Sequence, residues 1–377
     1  MVDTVPASPF KYGQIVKGSD FCRRPELEKN LANQIRRGQN VYIQGERRTG
    51  KSSLVWETVR RLKKPRIVYI DLLETKTSDD LIRRMVTGVI SLERSRGIIS
   101  KVLQKLAYLR PMASIDPLSG MPTLALDASV QLKPESISGV LDLISDCQLK
   151  TKPLVVVFDE FQDILNLKDA AETLAQLRSK LQFQVDIPYL FAGSVRNKMN
   201  TIFYDPDSAF FKSAIPIDVG PLNKVEFQTF IADKFKTGKR KITTNAMGRI
   251  FDICFNVAGD IQQLCSALWD TTSYGNNIGN KQIPYALEQI FAHESKGYET
   301  ILQVISGLQL NFLTGMARLG GHAPTSSKFL KQSGISQASS AQSALKRLMD
   351  LKVVFKHENR YRFVNPFFRA WLLYKKF

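Results

Sequence analysis

A glycine-rich segment near the start of the chain has the residue types and spacing of a phosphate-binding loop. Residues 45–52 read Gly-Glu-Arg-Arg-Thr-Gly-Lys-Ser and fit the pattern G-x-x-x-x-G-K-[ST] at every position. Glycines let backbone N–H groups curve around phosphate oxygens, and the start of a following helix adds a positive dipole. In this pattern Lys51 reaches the outer phosphates and the hydroxyl of Ser52 completes a Mg²⁺ shell. The segment therefore predicts nucleotide binding with Mg²⁺.

The whole loop is expected to surround the phosphates of ATP. The residues predicted to contact the nucleotide are Gly45, Glu46, Arg47, Arg48, Thr49, Gly50, Lys51, Ser52 and Ser53. For Arg47 and Arg48 two interpretations stay open. In the first, one of them contacts phosphate or a nearby acidic side chain. In the second, they lie in solvent or form a salt bridge with Glu160 when no nucleotide is bound.

Two adjacent carboxylates follow an apolar run later in the chain. Residues 154–158 read Leu-Val-Val-Val-Phe and lead directly into Asp159 and Glu160. The carboxyl ends of parallel strands form the edge where ligands bind. Asp159 is suited to hold Mg²⁺, directly or through water, and Glu160 to orient and deprotonate an attacking water. Alone, the pair fits an ordinary acidic strand end. Together with the loop, it predicts an ATPase site.

A third polar group follows another apolar run, at Gly193 and Ser194. Ser194, Arg196 and Asn197 are each suited to contact the γ-phosphate or the attacking water, and a structural turn fits the same residues equally well. We take Ser194, with Lys51 and Glu160, as the candidate catalytic residues, and Ser52 with Asp159 as the candidate metal ligands.

These residues need a parallel sheet covered by helices to bring them together. Up to about residue 222, short β-branched runs alternate with helical stretches, which is typical of an α/β fold. The apolar runs are nearly continuous, as expected for strands buried on both faces. The predicted strands are Asn40–Gln44, Arg66–Asp71, Leu154–Asp159, Tyr189–Ala192 and Ile215–Val219.

The remaining chain predicts two further regions. Residues 223–298 have helical periodicity, with a break predicted at 258–260. From residue 299, a helix is predicted through Ile301 and Phe312, followed by helices near 327–332 and 336–351 and two β-rich runs. Three helices and a hairpin are the order of a winged helix-turn-helix. We therefore predict domains at 1–222, 223–298 and 299–377.

Positive charge is concentrated at the end of the chain. The 377 residues hold 53 Lys and Arg against 35 Asp and Glu, a net charge of +18, and residues 301–377 contain twelve basic and two acidic residues. Such asymmetry favours a polyanionic partner, with a solvated basic face as the alternative. The residues predicted to contact double-stranded DNA are Gln337, Ser340, Lys346, Arg347, Lys356 and Arg360.

Several classes of protein are disfavoured by composition. No apolar run approaches the roughly 18 residues that cross a bilayer, so no membrane association is expected. The first residues lack a basic stretch followed by an apolar core, which favours a cytoplasmic location. The four cysteines and three histidines lack close metal-ligand spacing, so a zinc site and a disulfide framework are not expected.

The motifs resemble those of the archaeal-type ATPase family, in the STAND branch of AAA+ P-loop NTPases and related to origin-recognition initiators. The similar segments are Phe21–Leu27, residues 45–54, Asp159–Gln162, Gly193–Ser194 and Asn365–Trp371. The resemblance implies an AAA+ sheet, a helical lid and a winged helix that closes on ATP. Two features depart from the family. Only Lys212 stands where an arginine often follows the sensor strand, and the segment around Ala258–Gln262 lacks the usual proline and second glycine.

Two functional hypotheses follow. The first is a Mg²⁺-dependent ATPase whose nucleotide state, ATP or ADP, controls how a basic winged helix engages DNA. The second is a signalling switch with slow turnover, whose winged helix is autoinhibitory or binds a protein effector. A nucleotide-dependent homo-oligomer is compatible with both. A transcription factor with a vestigial pocket is disfavoured because all the phosphate and metal residues are present.

Overall fold

A five-stranded parallel sheet forms the centre of the first part of the chain. The computed structural model describes residues 7–62, 65–92, 111–115, 122–126, 135–148 and 153–375. The strands are β1 (Val41–Gln44), β2 (Arg66–Asp71), the separate antiparallel pair β3 (Pro111–Ile115) and β4 (Pro122–Leu126), β5 (Leu154–Asp159), β6 (Tyr189–Gly193) and β7 (Ile215–Asp218). The sheet order is β2-β5-β6-β1-β7, so β6 lies between the strand before the glycine-rich loop and the strand that ends in Asp159.

Helices cover both faces of this sheet. They are α1 (Pro25–Arg36), α2 (Lys51–Arg60), α3 (Ser78–Ile90), α4 (Glu135–Asp146), α5 (Ala170–Leu181) and α6 (Arg196–Phe203). Alternate residues of β5 enter two separate cores. Val155 and Val157 pack with residues of α1 and α2, whereas Val156 and Phe158 pack with residues of α3 to α6. Burial on both faces explains why these strands are apolar throughout, and the predicted α/β class is confirmed.

The rest of the chain forms a helical region and a winged helix. The elements are α7 (Lys224–Lys236), β8 (Lys241–Ile242), α8 (Thr244–Ile253), α9 (Ala258–Thr271), β9 (Asn277–Ile278), α10 (Ile283–Gln303), α11 (Gly307–Leu319), α12 (Ser327–Ser333), α13 (Ala338–Asp350), β10 (Val354–His357), β11 (Arg360–Phe363) and α14 (Pro366–Lys375). Strands β10 and β11 pair antiparallel after three helices, which is the winged-helix order.

Two predicted helix boundaries are wrong. The break expected at 258–260 lies earlier, because Phe255 and Asn256 adopt left-handed backbone angles and Ala258 already begins α9. The helix expected to run from Ile301 through Phe312 is interrupted, since α10 ends at Gln303 and Ser306 caps α11. Ser306 accepts from the N–H of Gln309, and the Gln309 side chain accepts from the N–H of Ser306.

The chain divides into two compact units. One spans Ile15–Gly220, and the other contains residues 7–14 together with 221–375. The N-terminal segment joins the second unit through Phe10, whose ring lies 4.6 Å from that of Phe235, and through the ammonium of Lys234, which donates to the carbonyl of Pro9 at 2.7 Å. Among the described residues no helix is both long and apolar enough to cross a membrane.

A buried carboxylate anchors the segment that precedes α1 to helix α2. Glu57 accepts hydrogen bonds from Arg60 and Arg61 and from the backbone N–H of Gly18 at 3.1 Å. Nearby, the N–H of Val16 donates to the hydroxyl of Ser53 at 3.1 Å. The hydrogen bonds to Arg60, the largest cause, lower the pKa of Glu57 to about 2, with Gly18 and Arg61 acting in the same direction.

Replacing Glu57 by Gln is expected to destabilise the protein in a pH-dependent manner. A lowered carboxyl pKa stabilises the folded state above the ordinary pKa of 4.5, and this stabilisation is lost as the pH falls towards 2. Urea unfolding should show a loss of about 3 kcal/mol at pH 7 and about half of that near pH 3. The exposed Glu26 provides the control, since Glu26→Gln should have a small effect at both pH values. A difference between wild type and Glu57→Gln that does not change with pH would contradict this account.

Candidate functional site

The glycine-rich loop connects β1 to α2 in a conformation that requires its glycines. Gly50 has a φ of +94° and occupies the position before the first residue of α2, where a side chain would be strained. A Cβ at Gly45 would lie 2.5 Å from the carbonyl oxygen of Val219, so no other residue fits there without moving the backbone. Helix α2 begins at Lys51, and its first N–H groups have no acceptor within the helix. Such a helix start attracts anions.

Lys51 places its ammonium group inside the loop. The side chain is 5% exposed, and its Nζ donates to the carbonyls of Gly45 at 3.0 Å and Glu46 at 2.9 Å. Desolvation by burial lowers the pKa of Lys51, while Glu160 and Asp159 act in the opposite direction. A buried cation next to free helix N–H groups is a favourable environment for phosphate oxygens.

Asp159 lies at the end of β5 and accepts hydrogen bonds from three directions. Its Oδ2 accepts from the hydroxyl of Ser52 at 2.5 Å and from the hydroxyl of Tyr69, and its Oδ1 accepts from the N–H of Glu160 at 3.0 Å. The two predicted metal ligands, Ser52 and Asp159, are therefore in direct contact. Asp159 is 6% exposed, so its carboxylate is held in one orientation in a largely dry environment.

Glu160 is the first residue after the strand and turns towards β6. Its φ of +49° is left-handed, which directs the chain into a short 3₁₀ helix, Phe161–Asn166. Glu160 Oε2 accepts from Gln162 Nε2 at 2.5 Å and from the hydroxyl of Ser194 at 2.7 Å. Gln162 Oε1 in turn accepts from the N–H of Ser194 at 3.1 Å. The predicted catalytic pair Glu160 and Ser194 is thus joined by a direct hydrogen bond and through Gln162.

The other candidates at the end of β6 lie outside this cluster. The guanidinium of Arg196 pairs with Asp218 at 2.7 Å, and Asn197 is exposed. The sequence offers Ser194, Arg196 and Asn197 as alternatives, and of these three Ser194 is the one in contact with Glu160. Lys212 is exposed, and its ammonium lies 5.1 Å from the centre of the Phe211 ring.

The remaining predicted loop residues occupy different environments. Thr49 is buried and its hydroxyl donates to the carbonyl of Glu46 at 2.8 Å, which closes the loop on itself. Arg47 and Arg48 are exposed, and Arg48 has a left-handed φ of +63°. The Ser53 side chain is buried and accepts from Val16, so the hydroxyl of Ser53 faces the segment before α1.

Arg24 lies in the Phe21–Leu27 segment and is a site residue for which the sequence predicts no role. It is 8% exposed, and its guanidinium donates to the carbonyl of Thr49 at 2.9 Å and to the carbonyl of Gly220 at 2.8 Å. Burial lowers the pKa of Arg24. Because C=O and N–H point in opposite directions across a trans peptide, the contact with Thr49 turns the N–H of Gly50 away from Arg24. Arg24 therefore fixes the end of the loop at the start of α2.

The residues fit a Mg²⁺ ion that is bound together with a nucleotide. Mg²⁺ takes oxygen ligands, commonly one or two from the protein along with substrate phosphates and water, and Ser52 and Asp159 supply a hydroxyl and a carboxylate in contact. Within the described ranges no group of three or more His, Cys, Asp and Glu side chains is placed to hold a metal ion. A metal here would therefore rely on phosphate oxygens for part of its shell.

The winged helix carries the second set of predicted residues. On α13, Lys346 and Arg347 are exposed and Ser340 is half-buried, while Ala341 and Leu348 face the core. Gln337 is exposed at the start of this helix. In the hairpin, Lys356 is exposed on β10 and Arg360 is half-buried at the start of β11. The apolar stripe and the polar face of α13 are as the sequence predicts.

Two basic residues of the winged helix contact an aromatic ring instead of lying free on the surface. The guanidinium groups of Arg362 and Arg369 lie 5.8 and 5.6 Å from the centre of the Phe255 ring, and Arg369 also donates to the carbonyl of Ala317 at 3.1 Å. Part of the positive charge of this region therefore serves packing within the unit, which the charge count does not distinguish.

Comparison with known proteins identifies the fold. Residues 296–374 match the family described as "probable winged helix domain". The Walker-type ATPase PABY2304 of Pyrococcus abyssi is similar in structure, with a TM-score of 0.63, 17% identity and coverage of 97% of this chain and 99% of the other. No curated protein sequence matches.

Two proteins of Aeropyrum pernix have the same architecture. The ORC1 protein, solved in complex with DNA, gives a TM-score of 0.52 at 11% identity, with 100% of this chain and 95% of the other covered. The ORC2 protein in its ADP form gives 0.51 at 13% identity, with 95% and 93% covered. The chain therefore has an ORC-like AAA+ fold with a C-terminal winged helix domain, and the predicted fold class is confirmed.

Replacing Arg24 by Lys is expected to loosen the loop. A lysine ammonium lacks the planar fork that serves two carbonyls at once, so one carbonyl loses its donor. We expect a loss of about 1–3 kcal/mol in the free energy of unfolding and faster amide hydrogen exchange in residues 45–50. The neighbouring Arg23, half-exposed and paired with Glu28, is the matched control. Arg23→Lys should change stability by less than about 0.5 kcal/mol. Equal effects of the two changes would refute the special role of Arg24.

Proposed function

We propose that this protein is a Mg²⁺-dependent, ATP-binding P-loop ATPase whose basic winged helix binds double-stranded DNA. The observation that carries the proposal is the convergence of three segments at one edge of the sheet. The phosphate loop with Lys51 and Ser52, the strand end with Asp159 and Glu160, and Ser194 are connected by direct hydrogen bonds. This arrangement has the parts that hydrolysis of a terminal phosphate requires.

Each residue has a role that follows from its position. Lys51 exchanges the loop carbonyls for oxygens of the outer phosphates, because a charged acceptor is a stronger partner than a carbonyl. Ser52 and Asp159 hold Mg²⁺, which when bound neutralises charge on the phosphates. Glu160 orients a water molecule and accepts its proton, and Ser194 holds Glu160 or the γ-phosphate in place.

Replacing Glu160 by Gln is expected to abolish turnover while ATP still binds. The amide cannot accept a proton from water, so steady-state phosphate release should fall by about 100-fold or more. Ser194→Ala should cause a smaller loss, of about tenfold, since Gln162 still contacts Glu160. The exposed Glu172 provides the control, because Glu172→Gln removes the same charge away from the site. Phosphate release that is unchanged by Glu160→Gln would reject the assignment.

A switch with slow turnover is the second candidate, and the contacts of Glu160 favour it. Both Gln162 and Ser194 donate to Glu160 Oε2, so Oε1 is the oxygen that can accept from water without displacing either donor, and this restricts where the water can lie. The same measurement separates the two functions. A wild-type rate far above that of Glu160→Gln supports the ATPase. A wild-type rate equal to it, with tight nucleotide binding, supports the switch, with a protein effector as its target.

The nucleotide state is proposed to act on the winged helix through the linker between the units. Arg24 bonds Thr49, at the end of the phosphate loop, and Gly220, the last residue before the chain enters the second unit. If the loop moves when ATP binds, Arg24 moves with Thr49, and its hydrogen bond to Gly220 transmits the displacement to the linker. A nucleotide-dependent homo-oligomer and membership of the STAND branch are part of the same proposal.

DNA binding is supported by the exposed charge of the winged helix. In the described part of residues 301–375, the exposed lysines and arginines on and next to the three winged-helix helices and the hairpin are Arg318, Lys328, Lys331, Lys346, Arg347, Lys352 and Lys356. Such residues bind phosphates and release counterions, while Gln337 is suited to base edges. The similar ORC1 protein of Aeropyrum pernix was solved in complex with DNA.

The double change Lys346→Gln and Arg347→Gln is expected to weaken binding to duplex DNA in a salt-dependent manner. Each lost phosphate contact removes about 0.9 from the slope of log affinity against log salt concentration, so the slope should fall in magnitude by about 2. Lys281→Gln with Lys296→Gln removes two exposed charges elsewhere in the same unit and is the control. Identical slopes for the two double variants would place DNA binding elsewhere.

A further inference from the structure

The carboxylate of Asp159 has a hydrogen-bond donor that the phosphate-site pattern does not include. The hydroxyl of Tyr69 donates to Asp159 Oδ2, the same oxygen that accepts from Ser52. Tyr69 lies on β2, paired in register with Val157, two residues before the strand end. Its ring packs against the core shared with α1 and α2, so the hydroxyl reaches Asp159 from the side of α2.

The position of this hydroxyl is set by a row of contacts. The centre of the Tyr69 ring lies 5.6 Å from that of Trp56, with an angle of 38° between the planes. Trp56 is one helical turn after Ser52 on α2, and the ammonium of Lys17 lies 4.3 Å from the centre of its ring. A rigid phenol packed on a second aromatic ring has little freedom to move. The hydroxyl is therefore held at one place relative to Asp159.

The chemical state of Tyr69 suits a donor. A tyrosine hydroxyl has an ordinary pKa of about 10, so at neutral pH the Tyr69 hydroxyl carries the proton that it donates to Asp159. A donor fixed on one side of a carboxylate oxygen restricts the rotation of the carboxylate. In metal sites such outer contacts orient the ligands and raise metal affinity.

We propose that Tyr69 is a positioning residue for the metal. Its hydroxyl holds the Asp159 carboxylate in the orientation from which Asp159 and Ser52 together present oxygens to the Mg²⁺ of bound Mg·ATP. This inference rests on the proposed function, because it concerns the same metal site. It adds that a residue of β2, backed by Trp56, sets how strongly Mg²⁺ contributes to nucleotide binding.

The test is the gain in nucleotide affinity that Mg²⁺ provides. Binding of a fluorescent ATP analogue is measured with Mg²⁺ and with EDTA, for wild type and Tyr69→Phe, which keeps the ring and removes the hydroxyl. The dissociation constant in EDTA divided by that in Mg²⁺ should be about tenfold smaller in Tyr69→Phe than in wild type. A loss of this size is typical when a metal ligand loses an outer contact. The affinity in EDTA should not change, because the Tyr69 hydroxyl contacts Asp159 and Ser52, which are the two proposed metal ligands.

Tyr189→Phe is the matched control. Tyr189 is a buried tyrosine of the same sheet whose hydroxyl donates to Gln184 instead of to the site. A merely structural role would lower the melting temperature in both variants and leave both Mg²⁺ gains as in wild type, which would overturn the inference. Trp56→Leu, which frees the phenol, should reduce the gain in the same direction but less.

The wild type separates this inference from the proposed function. A wild type with a clear Mg²⁺ gain that Tyr69→Phe retains refutes the role of Tyr69 alone. A wild type that binds the analogue equally well in Mg²⁺ and in EDTA refutes the metal site itself, and the inference with it.

Discussion

The carboxylate of Asp159 is the point at which distant parts of the first unit meet. It accepts from Ser52 on α2 and from Tyr69 on β2, and the backbone N–H of Glu160 contacts its other oxygen. A buried carboxylate is costly unless such donors surround it. The strand order also brings a donor to the neighbouring Glu160. With β6 between β1 and β5, Ser194 emerges between the phosphate loop and the two acids, within 2.7 Å of Glu160.

Two buried cations shape the phosphate loop from opposite ends. Lys51 contacts the carbonyls of Gly45 and Glu46, and Arg24 contacts the carbonyl of Thr49. Desolvation lowers the pKa of both side chains, so each depends on these oxygens for its solvation. The interactions are reciprocal, because loop carbonyls without donors would also be unsatisfied. The loop therefore has a defined shape that is set by charges within the protein, and an anion entering it meets an ordered site.

The sequence predicts the sheet and the central residues well, for physical reasons. Strands buried on both faces are continuously apolar, so β2 and β5 are predicted at their observed bounds. Local spacing also identifies the loop and the pair Asp159–Glu160. Contacts between residues that are far apart in the sequence cannot be predicted from local spacing. Neither the bond of Tyr69 to Asp159, 90 residues away, nor that of Arg24 to Gly220, 196 residues away, has a local signal. The boundary at Phe255 depends on left-handed residues that are not glycine, which propensity does not predict.

The winged helix is attached to the preceding helices through specific polar contacts, which affects how it can move. Glu294 on α10 accepts from Gln263 on α9, at 2.7 Å, and from Asn365, at 2.8 Å, the residue whose side chain also caps α14. The ring of Phe255, at the turn between α8 and α9, lies near both Arg362 and Arg369. Because these contacts join three helices to the end of the winged helix, relative motion would leave half-buried polar groups without partners. The helices of 221–303 and the winged helix are therefore expected to move as one body within their unit.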